Sequence, residues 1–496
     1  MTNLAGNLLH SAAAHGDRPA LRLRDRLITF RELERGSARM AGLLARRGVV
    51  AGDRVLVLLP NSPVFAETYY GILRIGAVAV PVNPLLKADE IRHAAQDSGC
   101  RLVLTGSGAA VEASSAARGL DIPCLDVSGD DFGGEWQEAE DGAGVVERGG
   151  DDLAVLLYTS GTSGRPKGAR LTHANLRSNL ETVVEALELG PDDVVFGGLP
   201  FFHVFGQTCG LNAAVRVGAC VTLLPRFDAA EALDMLERHG VSVLQGVPTM
   251  YVGLLEAARA RGRAVEARLR AAVSGGAAMP VEVLHRFEQR FGCLVAEGYG
   301  LSETSPVVTF NQAGPLYAPG SVGTPVPGVE VRLVDDAGRD VAEGAVGEIA
   351  VRGPNVTPGY WNRPEETAAA FTDGWFRTGD MARRDDAGRY YLIDRKKDLI
   401  IRGGYNVYPR EVEEVLYGHP AVLEAVVVGV PDDVHGEEVA AAVTVVPGHT
   451  TTEDELRSFV KERIAAYKYP RLVRIADGLP KGPTGKILRR AVSVRR

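Results

Sequence analysis

The apolar run Leu153-Ala-Val-Leu-Leu157 leads directly into Tyr158-Thr159-Ser160-Gly161-Thr162-Ser163-Gly164-Arg165-Pro166-Lys167-Gly168. A short β-rich run ending in glycine and hydroxyl residues predicts a buried strand that feeds a loop. The loop offers backbone N–H groups freed by three glycines, four hydroxyls and one ammonium at a single place. Those are the groups a polyphosphate needs. It is not a Walker A loop, in which Ser or Thr and a helix follow the lysine. Here Lys167 is followed by Gly168 and an apolar segment at 169–171. Lysine usage sharpens the reading, because only eight of the 55 basic residues are Lys. In a chain that writes Arg by default, a Lys inside a glycine-rich loop suggests a need for a compact ammonium. The same reasoning marks Lys397 and Lys486.

Outward from this loop, short β-rich runs alternate with helix-length amphipathic stretches: strands at 55–59, 102–104, 153–157, 221–224, 241–244 and 269–274, helices at 64–75, 173–188, 229–239 and 250–259. That alternation predicts α/β architecture with parallel sheets covered by helices, on a scale that suits two such subdomains. From Gly320 the texture changes to short alternating strands (329–334, 348–351, 390–393) among frequent Gly and Pro, which predicts a small β subdomain. A charged stretch, Lys396-Lys397-Asp398, then precedes a fresh set of short elements. We expect a boundary there, with a large unit at 1–395 and a small α+β domain at 396–496.

Composition excludes several classes. With 45% apolar and 24% charged residues the 496-residue chain reads as ordinary globular protein. A formal charge of -8 gives no global field for nucleic acid or anionic lipid. The tail from Lys461 to Arg496 is locally basic, which suits either a solvated surface or recognition of phosphates. Five cysteines without C-x-x-C spacing argue against disulfides or zinc and for a reducing, cytoplasmic setting. Neither a secretory signal nor a membrane-spanning segment is expected.

Seven further motifs follow in chain order: Phe202-His203-Val204-Phe205-Gly206, Ser274-Gly275-Gly276-Ala277, Gly298-Tyr299-Gly300-Leu301-Ser302-Glu303-Thr304, Trp375-Phe-Arg-Thr-Gly-Asp380, Asp394-Arg395-Lys396-Lys397-Asp398, Arg402-Gly403-Gly404, and Pro483-Thr-Gly-Lys486. Together with the loop they resemble the adenylate-forming superfamily, which contains acyl-CoA synthetases, firefly luciferase and peptide-synthetase adenylation domains. The resemblance covers about 150–490 and departs at Ser163, where Thr is commoner.

The resemblance implies an enzyme that activates a carboxylic acid as its acyl-adenylate, with ATP and Mg²⁺. It implies that Thr159, Ser160, Gly161, Thr162, Ser163, Gly164 and Lys167 hold the leaving pyrophosphate, and that Glu303, with Thr162, binds the metal. Thr304 would touch the α-phosphate, and His203 would stand among the catalytic residues. Asp380 would accept from the ribose hydroxyls, with Arg395 beside it. Gly275, Gly276, Ala277, Gly298, Tyr299 and Gly300 would form the adenine slot. Lys486 would reach the acyl carboxylate and α-phosphate, and Lys397 would be the hinge of a mobile C-terminal domain. Glu303 as a helix N-terminal carboxylate after a Ser302 cap, Asp380 as a turn residue after Gly379, and both lysines as surface residues are the bland alternatives.

For the acid, the motif at Phe202 and His203 lacks the aspartate that holds an α-ammonium in amino-acid-activating members. The segments 203–211, 246–251 and 299–310 contain no Lys or Arg, so a second carboxylate would be buried unpaired. An apolar acyl pocket of Val204, Phe205, Gly206, Gly210, Val247, Met250 and Val307 remains. It suits a medium- to long-chain fatty acid, and 300–309 resembles the fatty acid:CoA ligase branch. The resemblance places a pantetheine tunnel at Arg402, Gly403 and Gly404, with Lys468 and Arg471 toward coenzyme A. A carrier protein as acceptor and an aromatic acid passed to a non-CoA acceptor stay open as alternatives, whereas a non-catalytic nucleotide binder finds no support, because every motif keeps its chemical residue. The protein is expected to be a monomer or homodimer.

Overall fold

The computed structural model describes residues 2–106, 108–139, 142, 144–159 and 166–494. Residues up to Pro325 build two largely parallel sheets. A six-stranded sheet runs in the order Cys124–Asp126, Leu102–Thr105, Arg54–Leu58, Val78–Pro81, Leu153–Thr159, Lys167–Thr172, and only the last pair is antiparallel. A nine-stranded sheet has at its centre the parallel strands Val295–Gly300, Ala271–Gly275, Val243–Gly246, Val194–Gly197 and Cys220–Leu223. Pro19–Leu23 joins it from the start of the chain, parallel to Cys220–Leu223.

Side-chain alternation explains the layering. Val55 and Val57 point into one core, Leu56 and Leu58 into another. The first of these cores also contains Val195, Val221 and Val243 of the nine-stranded sheet, so the two sheets share a common layer of helices. That layer includes Phe30–Arg46, closed by the Thr29–Glu32 capping box, and Pro63–Arg74, capped by Ser62. The outer face of the nine-stranded sheet is covered by Ala229–Arg238, Pro248–Arg261 and Val281–Phe291 around Leu244, Ala272 and Val295.

The predicted β subdomain is an antiparallel sheet of Glu330–Val334, Gly347–Arg352, Trp375–Arg384, Phe371–Thr372 and Tyr390–Arg395. Directly after Arg395 a 3₁₀ turn, Lys396–Asp398, leads into Ile400–Arg402, the first strand of a further sheet that packs Pro409–Tyr417 and Glu453–Lys461 around its own core. All five cysteines are unpaired. Among the described residues no helix is long and apolar enough to cross a membrane.

One element departs from expectation. Phe205–Asn212 is a π-helix, where the run after Phe202-His203 gave no such signal. Such segments are rare and gather at functional sites.

Candidate active site

The carboxyl ends of the parallel strands open onto a single cavity of about 1750 Å³, the position where open α/β sheets receive ligands. Strand pairing sets its first corner. Leu153–Thr159 and Lys167–Thr172 are antiparallel neighbours with Thr159 opposite Lys167, so both flanks of the loop are brought together. Ser160, Gly161, Thr162, Ser163 and Gly164 lie outside the described residues. Across from this hairpin, the buried Glu303 accepts through Oε1 from Thr159 Oγ1 (3.2 Å) and from the Tyr360 hydroxyl (3.0 Å). Lys167 Nζ stands 3.5 Å above the Tyr360 ring, a cation–π contact. Burial lowers the Lys167 pKa, and the nearby Glu303 charge opposes that shift.

A second corner is built by the β subdomain. Asp380 and Arg395 are cross-strand partners, and Arg395 Nε lies 3.2 Å from Asp380 Oδ1. The other oxygen, Oδ2, accepts from the Tyr299 hydroxyl at 2.8 Å. Burial raises the Asp380 pKa, with the Arg395 charge acting against it, while Asp380 raises that of Arg395. Glycines admit the close approaches here. A β-carbon on Gly275 would lie 3.1 Å from the Phe205 ring, and one on Gly300 only 1.9 Å from the Pro306 carbonyl oxygen. Gly298 and Ala277 border the same space.

Lys486 enters from the C-terminal sheet. Thr249 Oγ1 donates to the Gly485 carbonyl at 2.8 Å, fixing the loop that carries it. The side chain passes over Gly276, where a β-carbon would lie 3.1 Å from its Cε and 3.5 Å from its Nζ. Among the described residues this ammonium has no hydrogen-bond or ion-pair partner. Burial, then the Arg395 charge, pushes its pKa down to about 8, partly offset by Asp380. His203 lies nearby. Its Nδ1 accepts from Phe205 N–H at 3.3 Å, which leaves the proton on Nε2. Burial and then Lys486 hold its pKa down at about 3, so the ring is neutral. His203 can orient a substrate as a hydrogen-bond donor but carries no charge at neutral pH.

Several expectations need correction. Thr304 does not border the cavity: it is fully buried, its hydroxyl accepting from Leu301 N–H (3.0 Å) and donating to the Pro306 carbonyl (2.5 Å). The hydroxyl beside Glu303 that does border it is that of Ser302, which is no helix cap, since Leu301 holds the cap position. In the expected acyl pocket, Val204, Phe205, Val247 and Val307 line the cavity, but Gly206, Gly210 and Met250 do not. Gly206 abuts the backbone of Leu199 and Pro200, and Met250 packs in the core. Their places are taken by Thr182, Val183, Ala186 and Leu187 of the helix His173–Ala186 and its cap, together with Cys209, Gln245, Val273 and Phe310. Tyr360 is a further residue that motif reading missed. Its only signal was an aromatic in a glycine-containing loop, Pro358-Gly359-Tyr360.

Lys397 borders the cavity between the strands Tyr390–Arg395 and Ile400–Arg402. Arg402, Gly403, Gly404, Lys468 and Arg471 do not. Arg402 forks onto Glu438 (2.5 and 2.9 Å), Lys468 holds both oxygens of Glu411 (2.6 and 2.8 Å), and Arg471 stacks on Tyr469. In this arrangement the cations expected to meet coenzyme A are therefore engaged within the C-terminal domain.

Two α/β units, a β subdomain and a C-terminal lysine converging on one cleft define the adenylate-forming class. The chain belongs to the AMP-binding enzyme family: that family's model matches residues 8–361, and the model of the AMP-binding enzyme C-terminal domain matches 411–486. Its relatives are CoA ligases. It is 37% identical to a long-chain-fatty-acid–CoA ligase of Bacillus subtilis over 97% of this chain and 92% of that one. It is 40% identical to a feruloyl-CoA synthase of Amycolatopsis sp over 94% of each. Among solved structures, a benzoate CoA ligase from Burkholderia xenovorans LB400 superposes with a TM-score of 0.90 at 32% identity, covering 98% of this chain and 99% of that one.

Proposed function

We propose that the protein joins an apolar carboxylic acid, of the medium- to long-chain fatty acid kind, to coenzyme A. In the first step a carboxylate oxygen attacks the α-phosphorus of ATP and the bond to pyrophosphate breaks. In the second the thiol sulfur attacks the acyl carbon, AMP leaves and the thiol proton is lost to solvent. The observation that carries this reading is the ammonium of Lys486, without a hydrogen-bond or ion-pair partner among the described residues, in a cleft that also holds Asp380, Arg395, Glu303 and Lys167. A recessed cation that no carboxylate among the described residues pairs directly, with Asp380 acting on it only from a distance, suits two anions that must meet, because a fixed positive charge favours the transition state over its separated reactants.

Within this reading, Lys486 bridges the acyl carboxylate and α-phosphate. Neutral His203 donates from Nε2 to the carboxylate. Asp380 accepts from the ribose while Tyr299 and Arg395 keep its two oxygens oriented, and Lys167 with the loop at 160–165 receives pyrophosphate. Glu303 offers one carboxylate flanked by hydroxyls, the donor set that suits Mg²⁺ shared with phosphates. When bound, that ion would neutralise phosphate charge. Residues 396–496 would act as one mobile unit pivoting at Lys397.

The acyl body would occupy the apolar arm of the cavity bordered by Val183, Phe205, Val307 and Phe310, and the segments 203–211, 246–251 and 299–310 that flank it contain no Lys or Arg. That arm disfavours a second carboxylate. An aromatic acid is the second reading, favoured by the rings of Phe205 and Phe310 and by the feruloyl-CoA synthase relative. Acid-dependent pyrophosphate release from ATP tests both. From acetate through octanoate to laurate, kcat/KM should rise, each buried methylene contributing about 0.8 kcal/mol until the arm is filled. Higher turnover of acetate or malonate than of octanoate would refute the apolar arm, and a cinnamate above every fatty acid would select the second reading.

A further inference from the structure

Among the described residues that border the cavity, Ser274 Oγ and Gln245 Oε1 are both buried without a hydrogen-bond partner, and Gln245 is the one whose orientation a neighbouring bond fixes. Gln245 stands one residue before the end of the strand Val243–Gly246, 1% exposed, and borders the cavity. It points to the same side of the sheet as Val243, toward the core shared by the two sheets. Its Nε2 donates to the Cys209 carbonyl of the π-helix at 2.9 Å. That bond fixes the amide's orientation, because a carbonyl can meet only the NH₂ end. The other end, Oε1, is then committed as an acceptor, and it has no hydrogen-bond partner. Two other buried acceptors near the π-helix, Gln207 Oε1 and Thr208 Oγ1, are also unpartnered, but neither residue borders the cavity.

Space accompanies this acceptor. Gly210, next to Cys209, does not itself border the cavity, but a β-carbon there would meet no atom within 4 Å beyond its chain neighbours and its own helix backbone. Val247, two residues beyond Gln245, lies against Gly276 under Lys486. Two residues of strand place Gln245 about 7 Å deeper than that carboxylate-binding point. A substrate seated by its carboxylate at Lys486 would thus pass Gln245 part-way along its body.

We propose that Gln245 is a specificity-determining residue that selects acids carrying a hydroxyl on an otherwise apolar body, the hydroxyl donating to Oε1. This rests on the acid-activating reading and narrows its substrate. A site built to hydrogen-bond a substrate hydroxyl discriminates strongly against the analogue without it, since the buried acceptor is then left bare. The shared chemistry is the O–H donor; whether it sits on an alkyl chain or an aromatic ring is for the assay to separate.

The test uses the full chain, wild type and Gln245→Leu, with Gln245→Met as the second variant should the leucine not fold. Pyrophosphate release is measured on matched acids: octanoate against 8-hydroxyoctanoate, and cinnamate against its 4-hydroxy and 4-methoxy forms. In wild type the hydroxylated member of one pair should exceed its partner in kcat/KM by about 10- to 100-fold. If the aromatic pair responds, the methoxy acid, which has no donor, should fall with cinnamate. The apolar variants should bring the ratio to one or below, chiefly by gaining activity on the unsubstituted acid. A wild type indifferent to the hydroxyl, or a ratio unchanged by either substitution, overturns the proposal. If no acid releases pyrophosphate, the acid-activating reading fails instead. Binding of the same acids to wild type and variant, followed by calorimetry, then decides Gln245 by the same ratio.

Discussion

Lys486 and His203 are two basic side chains within one cleft, and their environments separate them. The imidazole is held neutral with a pKa near 3, so it is silent across the working range. The ammonium, lowered to about 8, is charged below that pH and neutral above it. The sign follows directly: a required cation is lost as pH rises, so kcat/KM for adenylate formation should fall on the alkaline side with a midpoint near 8. Lys486→Arg should move this limb out of the measurable range, because the guanidinium stays protonated. Lys486→Ala should abolish it and slow adenylation by roughly 10²- to 10³-fold. An alkaline limb near 8 that persists in the arginine variant would assign the titration elsewhere. The sequence singled out this lysine through its scarcity and its glycine frame. By resemblance it assigned the α-phosphate contact to Thr304, and the fold alone shows that Thr304 is fully buried while Ser302 borders the cavity.

At the scale of elements, the order of strands and helices was legible because periods of two and 3.6 residues alternate along the chain. The sheet order was not. Pro19–Leu23 pairs with Cys220–Leu223 some 200 residues away, a choice made by tertiary packing. The π-helix was equally hidden, and within it Cys209 borders the cavity while Gly206 and Gly210 do not. Two glycines give the local reading a quantitative check. At Gly300 a methyl would meet the Pro306 carbonyl at 1.9 Å, backbone that cannot step aside, so Gly300→Ala should destabilise the fold by about 2–4 kcal/mol. At Gly210 a methyl meets nothing, and Gly210→Ala should be neutral or stabilising by up to about 1 kcal/mol. Urea midpoints of the two variants measure the contrast; equal midpoints would contradict the packing described around Gly300.

On the scale of the whole molecule, two surfaces of residues 396–496 carry different equipment. One presents Lys486 to the cleft; the other carries Gly403 and Gly404, both at positive φ, with Ile401, Tyr405 and Val434 exposed around them. If both surfaces serve one cleft in turn, substitutions should divide the two half-reactions. Gly403→Leu should spare pyrophosphate release and impair transfer from a supplied acyl-adenylate to coenzyme A, whereas Lys486→Ala should do the reverse. Single-turnover assays, with circular dichroism to check that the strained leucine variant is folded, measure both; equal damage to both steps in both variants would exclude alternation. The solitary charge of Lys486 also bears on timing. Among the described residues no carboxylate pairs with it directly, so, if the proposed reading holds, the seam between the C-terminal domain and the rest would be completed by the anion that the cleft receives. By linkage, ATP must then strengthen the seam by the same factor by which the seam strengthens ATP binding. On that reading, departure of pyrophosphate would remove part of that mortar as the first bond exchange ends, and the chemistry itself would keep the clock for any rearrangement that follows. Backbone amides at 396–400 would register each tick as hydrogen exchange that is slow with ATP and quickens once the adenylate has formed.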